Sequence, residues 1–147
     1  MFSITAIAAA YEVMDTVARK EGVDRIRIFN REGKMMFSTR PNDREVQVGK
    51  RADTCAVCHS SLQPRVHVDT TSRVRILRAP GGRRDLSMVT PIYNEPSCSQ
   101  AACHAHPPEQ KILGVLDTNL SLAQTEASLA ESNQAMLSYT LLGAVLI

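Results

Sequence analysis

The sequence predicts an α+β fold, in which an antiparallel sheet of about five strands lies between a long helix at each end of the chain. Three observations lead to this prediction. Short segments with alternating apolar and polar residues are separated by turn residues. Both ends have helical periodicity instead. The 147 residues, 44% of them apolar, suit one domain with a core.

The first half of the chain is predicted to contain a helix and a hairpin. A helix is expected over residues 2–21, because apolar side chains recur at helical spacing and Gly22 gives a stop signal. The hairpin has its turn at residues 30–33, and residues 40–53 form an irregular connection. Across the whole chain, strands are predicted at residues 23–29, 34–38, 74–77, 86–92 and 112–120.

The second half is predicted to contain another hairpin and the final helix. The turn of this hairpin is Pro80–Gly82, and Pro91 in its later strand indicates an edge strand or an early end. The last strand passes into a helix that begins at Leu122. Its residues Leu129 and Met136 continue a heptad stripe from Leu122, which is typical of a core helix and also of a signalling stalk.

The two ends of the chain also carry a topology signal. Residues 1–11 and 132–147 are uncharged and largely apolar, and each is shorter than the roughly 20 residues needed to cross a bilayer. We interpret both as parts of transmembrane helices that run off the ends of the sequence. The alternative is that both are core helices. The first segment lacks the basic region of a signal peptide.

Two motifs use all four cysteines of the chain. Cys55, Cys58 and His59 form CxxCH, the spacing by which a c-type haem is covalently attached. One helical turn places both sulfurs along one edge of the porphyrin, and the next residue directs its imidazole at the iron. Cys98, Cys103 and His104 form CxxxxCH, a looser variant that resembles attachment sites of multihaem cytochromes c. We therefore predict two covalent c-type haems, with His59 and His104 as proximal iron ligands.

Two other uses of the cysteines remain open. The two pairs match the thiolate spacing of a zinc site. In an exported protein they could also form disulfides, or a redox dithiol within the CxxC segment. Neither alternative requires a histidine directly after both pairs, so haem attachment is favoured.

The positive charge is concentrated in the middle of the chain. Sixteen of the 17 Lys and Arg lie between Arg19 and Arg84, against seven Asp and Glu there. This pattern is typical of a solvated surface that protects strand edges. It also offers arginines for haem propionates, since guanidinium groups bind carboxylates in a bidentate manner. The candidates are Arg65, Arg73, Arg75, Arg78, Arg83 and Arg84. Nucleic-acid binding is not expected, because covalent haem implies export.

The distal iron ligands decide the chemistry, since a strong sixth ligand favours electron transfer and an open position favours ligand binding. The candidates are His67, His106 and Met88. His67 is equally typical of a strand edge, His106 of a loop, and Met88 of a core. His106 is too close in sequence to His104 to reach the opposite side of the same haem. Of Met35 and Met36, at most one points at a haem, because adjacent strand residues face opposite sides.

The order of elements resembles that of extracytoplasmic PAS-like or single-Cache sensor domains of bacterial transmembrane receptors, including those that carry c-type haem. The segment ILGVLDTNL at residues 112–120 is similar to their last strand. The segment LAQTEASLAESNQAMLSYTLLGAVLI at residues 122–147 is similar to the helix that enters the membrane before a HAMP linker. Many of those domains carry one haem, whereas this chain has two motifs. The resemblance implies a periplasmic domain of an inner-membrane protein that is a homodimer.

This resemblance divides the chain into three parts. They are a membrane-proximal helix at residues 1–21, a dihaem sensor domain at residues 22–121, and a C-terminal helix at residues 122–147. We expect a sensor that responds to redox state or to a small gas such as nitric oxide or carbon monoxide. The alternative is a membrane-anchored dihaem cytochrome that exchanges electrons with a redox partner. No catalytic activity is predicted, because no nucleophile and base occur at a recognisable spacing.

Overall fold

The structure, a computed structural model, describes residues 4–43, 46–100 and 106–145. Its fold is α+β, with the five-stranded antiparallel sheet and the C-terminal helix that were predicted, and its strand order is β2-β1-β5-β4-β3. The strands are β1 Val23–Asn30, β2 Met35–Ser38, β3 Val74–Arg78, β4 Arg84–Tyr93 and β5 Ile112–Ser121. The helices are α1 Ile4–Ala18, α2 Asp53–His59, α3 Thr70–Arg73, α4 Pro96–Ser99 and α5 Ala123–Val145, with short 3-10 turns at Pro41–Asp43 and Pro80–Gly82.

The two faces of the sheet carry different helices. Cross-strand pairing places Arg27 beside Asp117, and Asp117 beside Val89, on the face that α2 covers. We call this the α2 face. Side chains that alternate with these point to the other side, because successive strand residues face opposite ways. There Tyr11 of α1 stacks on Phe37, with ring centroids 5.3 Å apart, and we call this the α1 face.

A small apolar cluster holds α2 against the sheet. Val57 and Cys58 of α2 are buried together with Val68 and with Val89 of β4, and Val115 of β5 packs against this group. Removing such side chains from water is the main favourable term in folding, at about 25 cal/mol for each Å² of apolar surface. The cluster fixes the position of α2 over the middle of the sheet.

A buried ion pair lies beside this cluster on the α2 face. The Nε and Nη2 atoms of Arg27 donate to Oδ2 of Asp117 at 2.9 and 2.5 Å. Arg27 Nη2 also lies 3.4 Å from Oγ1 of Thr54 in α2, and Ser87 Oγ donates to Asp117 Oδ1 at 3.3 Å. The side chain of Asp117 is 1% exposed and that of Arg27 16%. The pair therefore joins β1, β5, β4 and α2 in one polar network.

The position of Pro91 differs from the prediction of an edge strand. It lies in β4, which has β3 on one side and β5 on the other. However, the pairing of β3 with β4 ends at Val74 and Met88, so β3 does not pair with β4 at Pro91. Proline is therefore tolerated at this position, because no residue of β3 needs a backbone N–H donor from residue 91.

Helix α5 leaves the sheet directly after β5. Its first turn is held by the Arg84–Glu126 ion pair and by the Leu122 amide, which donates to the carbonyl of Arg84 at 3.0 Å. All side chains from Ala127 to Ala144 are exposed. Among the described residues, no helix combines the length and apolar character required to cross a membrane.

We predict that Asp117→Asn lowers the free energy of unfolding by about 3–5 kcal/mol, because it leaves the Arg27 guanidinium buried without its counter-charge. The control is Asp15→Asn, which removes the partner of Arg19 in an exposed pair four residues apart. That change is expected to cost less than about 0.5 kcal/mol. Urea unfolding measures both. Equal small losses would contradict a structural role for the buried pair.

Candidate functional site

Helix α2 carries the whole CxxCH motif. The helix is preceded by a turn in which the amide of Ala52 donates to the carbonyl of Gly49 at 2.9 Å. Within α2, Cys55 and His59 are half-buried and Cys58 is 7% exposed. Residues three apart on a helix lie on the same side, so both sulfurs point in a similar direction. The sequence-based prediction that one short helix presents the first motif agrees with this arrangement.

These three residues line a cavity of about 300 Å³. Three parts of the chain form its lining. The first is α2 together with Pro64 and Arg65, and the second is the β1–β2 turn together with Val48 and Lys50. The third is the start of β5, which contributes Ile112, Gly114 and Val115. The cavity therefore lies on the α2 face, at the end of the sheet where β5 begins.

The turn beside the cavity is built by Asn30 and Gly33. The Oδ1 atom of Asn30 accepts hydrogen bonds from the amides of Glu32 and Lys34, at 3.1 and 2.9 Å. Gly33 has a φ of +78°, which favours glycine. Its carbonyl accepts from the amide of Val48 at 2.9 Å. A Cβ atom at Gly33 would overlap the Val48 carbonyl oxygen, so only glycine permits this close backbone contact.

Positive charge predominates in the lining, which contains Arg31, Lys50 and Arg65 but only one acid, Glu32. Arg31 forms an ion pair with Glu32 at 3.2 Å and donates to Gln110 Oε1 at 3.0 Å. The Nη2 atom of Arg65 donates to the carbonyl of Val57 at 2.8 Å. Within the described part of the chain, Lys50 has no hydrogen bond or ion pair. The lining thus has more positive than negative charge.

The two cysteines of α2 are free thiols with raised pKa values. Burial is the main cause for both, because it disfavours the charged thiolate. The neighbouring Cys58 and the Asp117 carboxylate further raise the pKa of Cys55. Arg65 and Arg73 act in the opposite direction on Cys58. Both sulfurs are consequently neutral at neutral pH.

The three candidate distal ligands lie in different places. His67 is exposed, its ring stacks on Tyr93 with centroids 5.3 Å apart, and it is not part of the described cavity lining. Met88 alternates with Val89 along β4 and so points to the α1 face, on the other side of the sheet from α2. His106 is half-buried near the end of the loop between β4 and β5. The described lining of the cavity contains no imidazole other than that of His59, and no methionine.

The second motif is only partly described. The backbone of Cys98 belongs to α4, while Cys103 and His104 lie outside the described residues. The two ends of this loop are fastened together, because the amide of Asn94 donates to the Lys111 carbonyl at 3.0 Å. The prediction of a second haem site therefore remains a prediction.

Most of the arginines considered as propionate partners also have partners within the protein, although Nε of Arg73 and Nε and Nη2 of Arg75 are buried without a described one. Of the six, Arg65 alone is found in the described lining of the cavity. Arg83 pairs with Asp24 and Asp85, and Arg84 pairs with Glu126. The guanidinium groups of Arg73 and Arg75 donate to Thr70 Oγ1 and to the Asp53 carbonyl, and Arg78 is exposed.

Sequence reasoning did not identify Arg31 or Lys50 as cavity residues, because Arg31 was assigned only to a hairpin turn and residues 40–53 were interpreted as an irregular connection. In the structure, Gln47 forms a bridge with Lys34, and the Met35 amide donates to the Val46 carbonyl. The alternation of Val46, Gln47 and Val48 was the available signal for this short paired segment.

No family model matches the chain, and no curated protein matches it significantly. Among the described residues, no group of three or more His, Cys, Asp or Glu side chains is arranged to hold a metal ion. The functional argument therefore depends on the motifs and on the cavity that contains the first of them.

We predict that Gly33→Ala and Gly114→Ala each destabilise the fold by about 1–3 kcal/mol, because the new Cβ meets a backbone carbonyl. The contacts are with Val48 at Gly33 and with Phe29 at Gly114. Gly49→Ala is the control, since it has open space, and a change within about 0.5 kcal/mol is expected.

Urea unfolding and hydrogen exchange measure these effects. Gly33→Ala should also reduce the protection of the Val48 amide, whose hydrogen bond to Gly33 is lost. If all three variants had the same stability and the same protection, the close backbone contacts would not hold the cavity lining.

Proposed function

We propose that this chain is an extracytoplasmic sensor domain of PAS-like fold that holds covalent c-type haem and signals through α5. The observation that carries the proposal is that Cys55, Cys58 and His59 lie on one short helix and line the same cavity. We propose a second haem at Cys98, Cys103 and His104 on the basis of its motif alone. The proposed location is the periplasmic side of a membrane.

The chemistry of the lining fits a haem. Two thiols are available for thioether bonds, and one imidazole is available for the iron. Val48, Ile112 and Val115 supply apolar contacts for the macrocycle, and the excess of cations suits its carboxylates. When bound, the haem supplies a redox-active iron that can bind a small ligand. Such a group would also compensate for the low aromatic content of the chain, in which only 4% of the residues are aromatic.

The protein residues would then have separate roles. Cys55 and Cys58 fix the group on α2, and His59 holds the iron on the proximal side. The Arg27–Asp117 pair is anchored to α2 through Thr54, so it keeps the helix at a fixed height above β5. Because this polar network is internally paired, it adds little net charge beneath the attachment helix.

A route for the signal is available through β5. This strand begins in the cavity lining with Ile112, Gly114 and Val115, and it ends one residue before α5. The first turn of α5 is held on β4 by Arg84, and the rest of the helix extends away from the sheet. A small shift of β5 on binding in the cavity would therefore favour one arrangement of this turn over another.

The first haem is proposed to be the ligand-responsive one. The described lining contains neither a second histidine nor a methionine, and Lys50 is exposed, so a small ligand would have few protein competitors for the iron. A small neutral gas such as nitric oxide or carbon monoxide suits the apolar part of the lining. The alternative is a dihaem electron carrier, in which neither iron binds a gas and α5 serves only as an anchor.

We predict that the chain, expressed in a periplasm with haem-attachment machinery, contains two covalent haems. Cys55→Ala combined with Cys58→Ala should reduce this number to one, because no thioether can then form on α2. His59→Ala should alter the absorption spectrum of the first haem, because it removes the proximal ligand. Pyridine haemochrome assays on denatured protein count the haems.

The control for these substitutions is His67→Ala, which removes an exposed imidazole outside the cavity lining. It should leave the haem count unchanged. Finding no covalent haem in the parent chain would overturn the proposed function and favour a zinc or disulfide site.

Hydrogen exchange in the ferric, ferrous and carbon monoxide-treated states separates sensing from electron transfer. For a sensor we expect altered protection in the first turn of α5, near Leu122 and Glu126. An unchanged exchange pattern in all three states would support the electron carrier instead.

A further inference from the structure

Lys50 is the cavity cation whose charge the described protein residues do not satisfy. It lies three residues before α2, next to the Gly49 turn, and it lines the same cavity as Cys55 and His59. The other two cations of the lining are already engaged, Arg31 with Glu32 and Gln110, and Arg65 with the Val57 carbonyl. The lining as a whole has two more cations than acids.

The backbone around Lys50 is well anchored. Two hydrogen bonds fasten the preceding segment to the β1–β2 turn, from the Met35 amide to Val46 and from the Val48 amide to Gly33. The following turn is closed by the Ala52 amide, which donates to Gly49 at 2.9 Å. The backbone that carries Lys50 is therefore a fixed part of the lining, and the lysine side chain itself is exposed.

The chemistry of haem attachment indicates what this cation would bind. The vinyl carbons that form thioethers lie on one edge of the macrocycle, and the two propionates lie on the opposite edge. If Cys55 and Cys58 fix the first edge on α2, the propionates extend toward the rest of the lining. On that part of the lining, β5 contributes apolar side chains, while the cations are Arg31 and Lys50.

We infer that Lys50 anchors a propionate of the first haem, with Arg31 beside it. This inference rests on the proposed haem attachment at Cys55 and Cys58. The two excess positive charges of the lining match the two negative charges of the propionates. With its carboxylate on Lys50, a haem fixed to Cys55 and Cys58 would link the residue 46–50 segment to α2, so that Lys50 helps to hold both sides of the cavity together.

The anchoring also affects the iron, because a positive charge near the haem disfavours the ferric state. Lys50→Gln keeps a similar side-chain length and removes the charge. At a fixed applied potential, it should raise the ferric-to-ferrous ratio of the first haem by about threefold to tenfold, allowing for solvent screening. A tenfold change corresponds to a 59 mV decrease in midpoint potential for one electron.

The experiment is a spectroscopic redox titration of the haem-loaded chain. Cys98→Ala with Cys103→Ala isolates the first haem, and a two-component fit of the otherwise unmodified chain gives the same quantity if this background does not fold. Lys20→Gln is the matched control, since it removes an exposed lysine outside the cavity and should change the ratio by less than about twofold. Lys50→Arg keeps the positive charge and should therefore have the same midpoint potential as the parent chain.

Haem is counted first in every variant. A parent chain without the first haem would refute the proposed attachment rather than the role of Lys50. With haem present, a Lys50→Gln midpoint equal to that of the parent would overturn the inference. The inference would also be overturned if Lys50→Gln converted the ferric spectrum to a high-spin form, because that change would identify the lysine amine as an iron ligand.

Discussion

The arrangement on the α2 face depends on the ion pair between Arg27 and Asp117. A carboxylate that is 1% exposed is very unfavourable unless donors surround it, and here both Arg27 and Ser87 donate to it. Because the guanidinium also reaches Thr54, the same interaction fixes the height of α2 above the sheet. The apolar cluster around Val89 then sets the position of the helix along the strands.

The cavity exists because α2 does not cover the end of the sheet where β5 begins. Beyond the apolar cluster, the lining is completed by a turn and by the short segment that precedes α2. Their close approach depends on Gly33, since any side chain there would meet the Val48 carbonyl. The resulting site combines an apolar strand, two thiols, an imidazole and an excess of cations. These are the groups that the proposed haem attachment would use.

Much of the fold was predictable because local residue patterns determine its strands and helices. The alternation of Arg25 and Arg27 with Ile26 and Ile28 predicts β1 directly, since the period of two is a local property of a strand. The interior position of Pro91 was not predictable in this way. It depends on where β3 stops pairing with β4, and the length of this pairing is a property of the assembled sheet.

The sequence by itself determined the five strands, the C-terminal helix and the chemical groups of the first motif, because periodicity and residue spacing are local. Only the tertiary structure decided which groups share the cavity. Lys50 and Arg31 are 19 residues apart in sequence and line the same cavity because the segment before Lys50 pairs with the β1–β2 hairpin, whereas Met88 lies on the far side of the sheet from α2. Such relations arise from strand order and register, and these are fixed by long-range packing rather than by neighbouring residues.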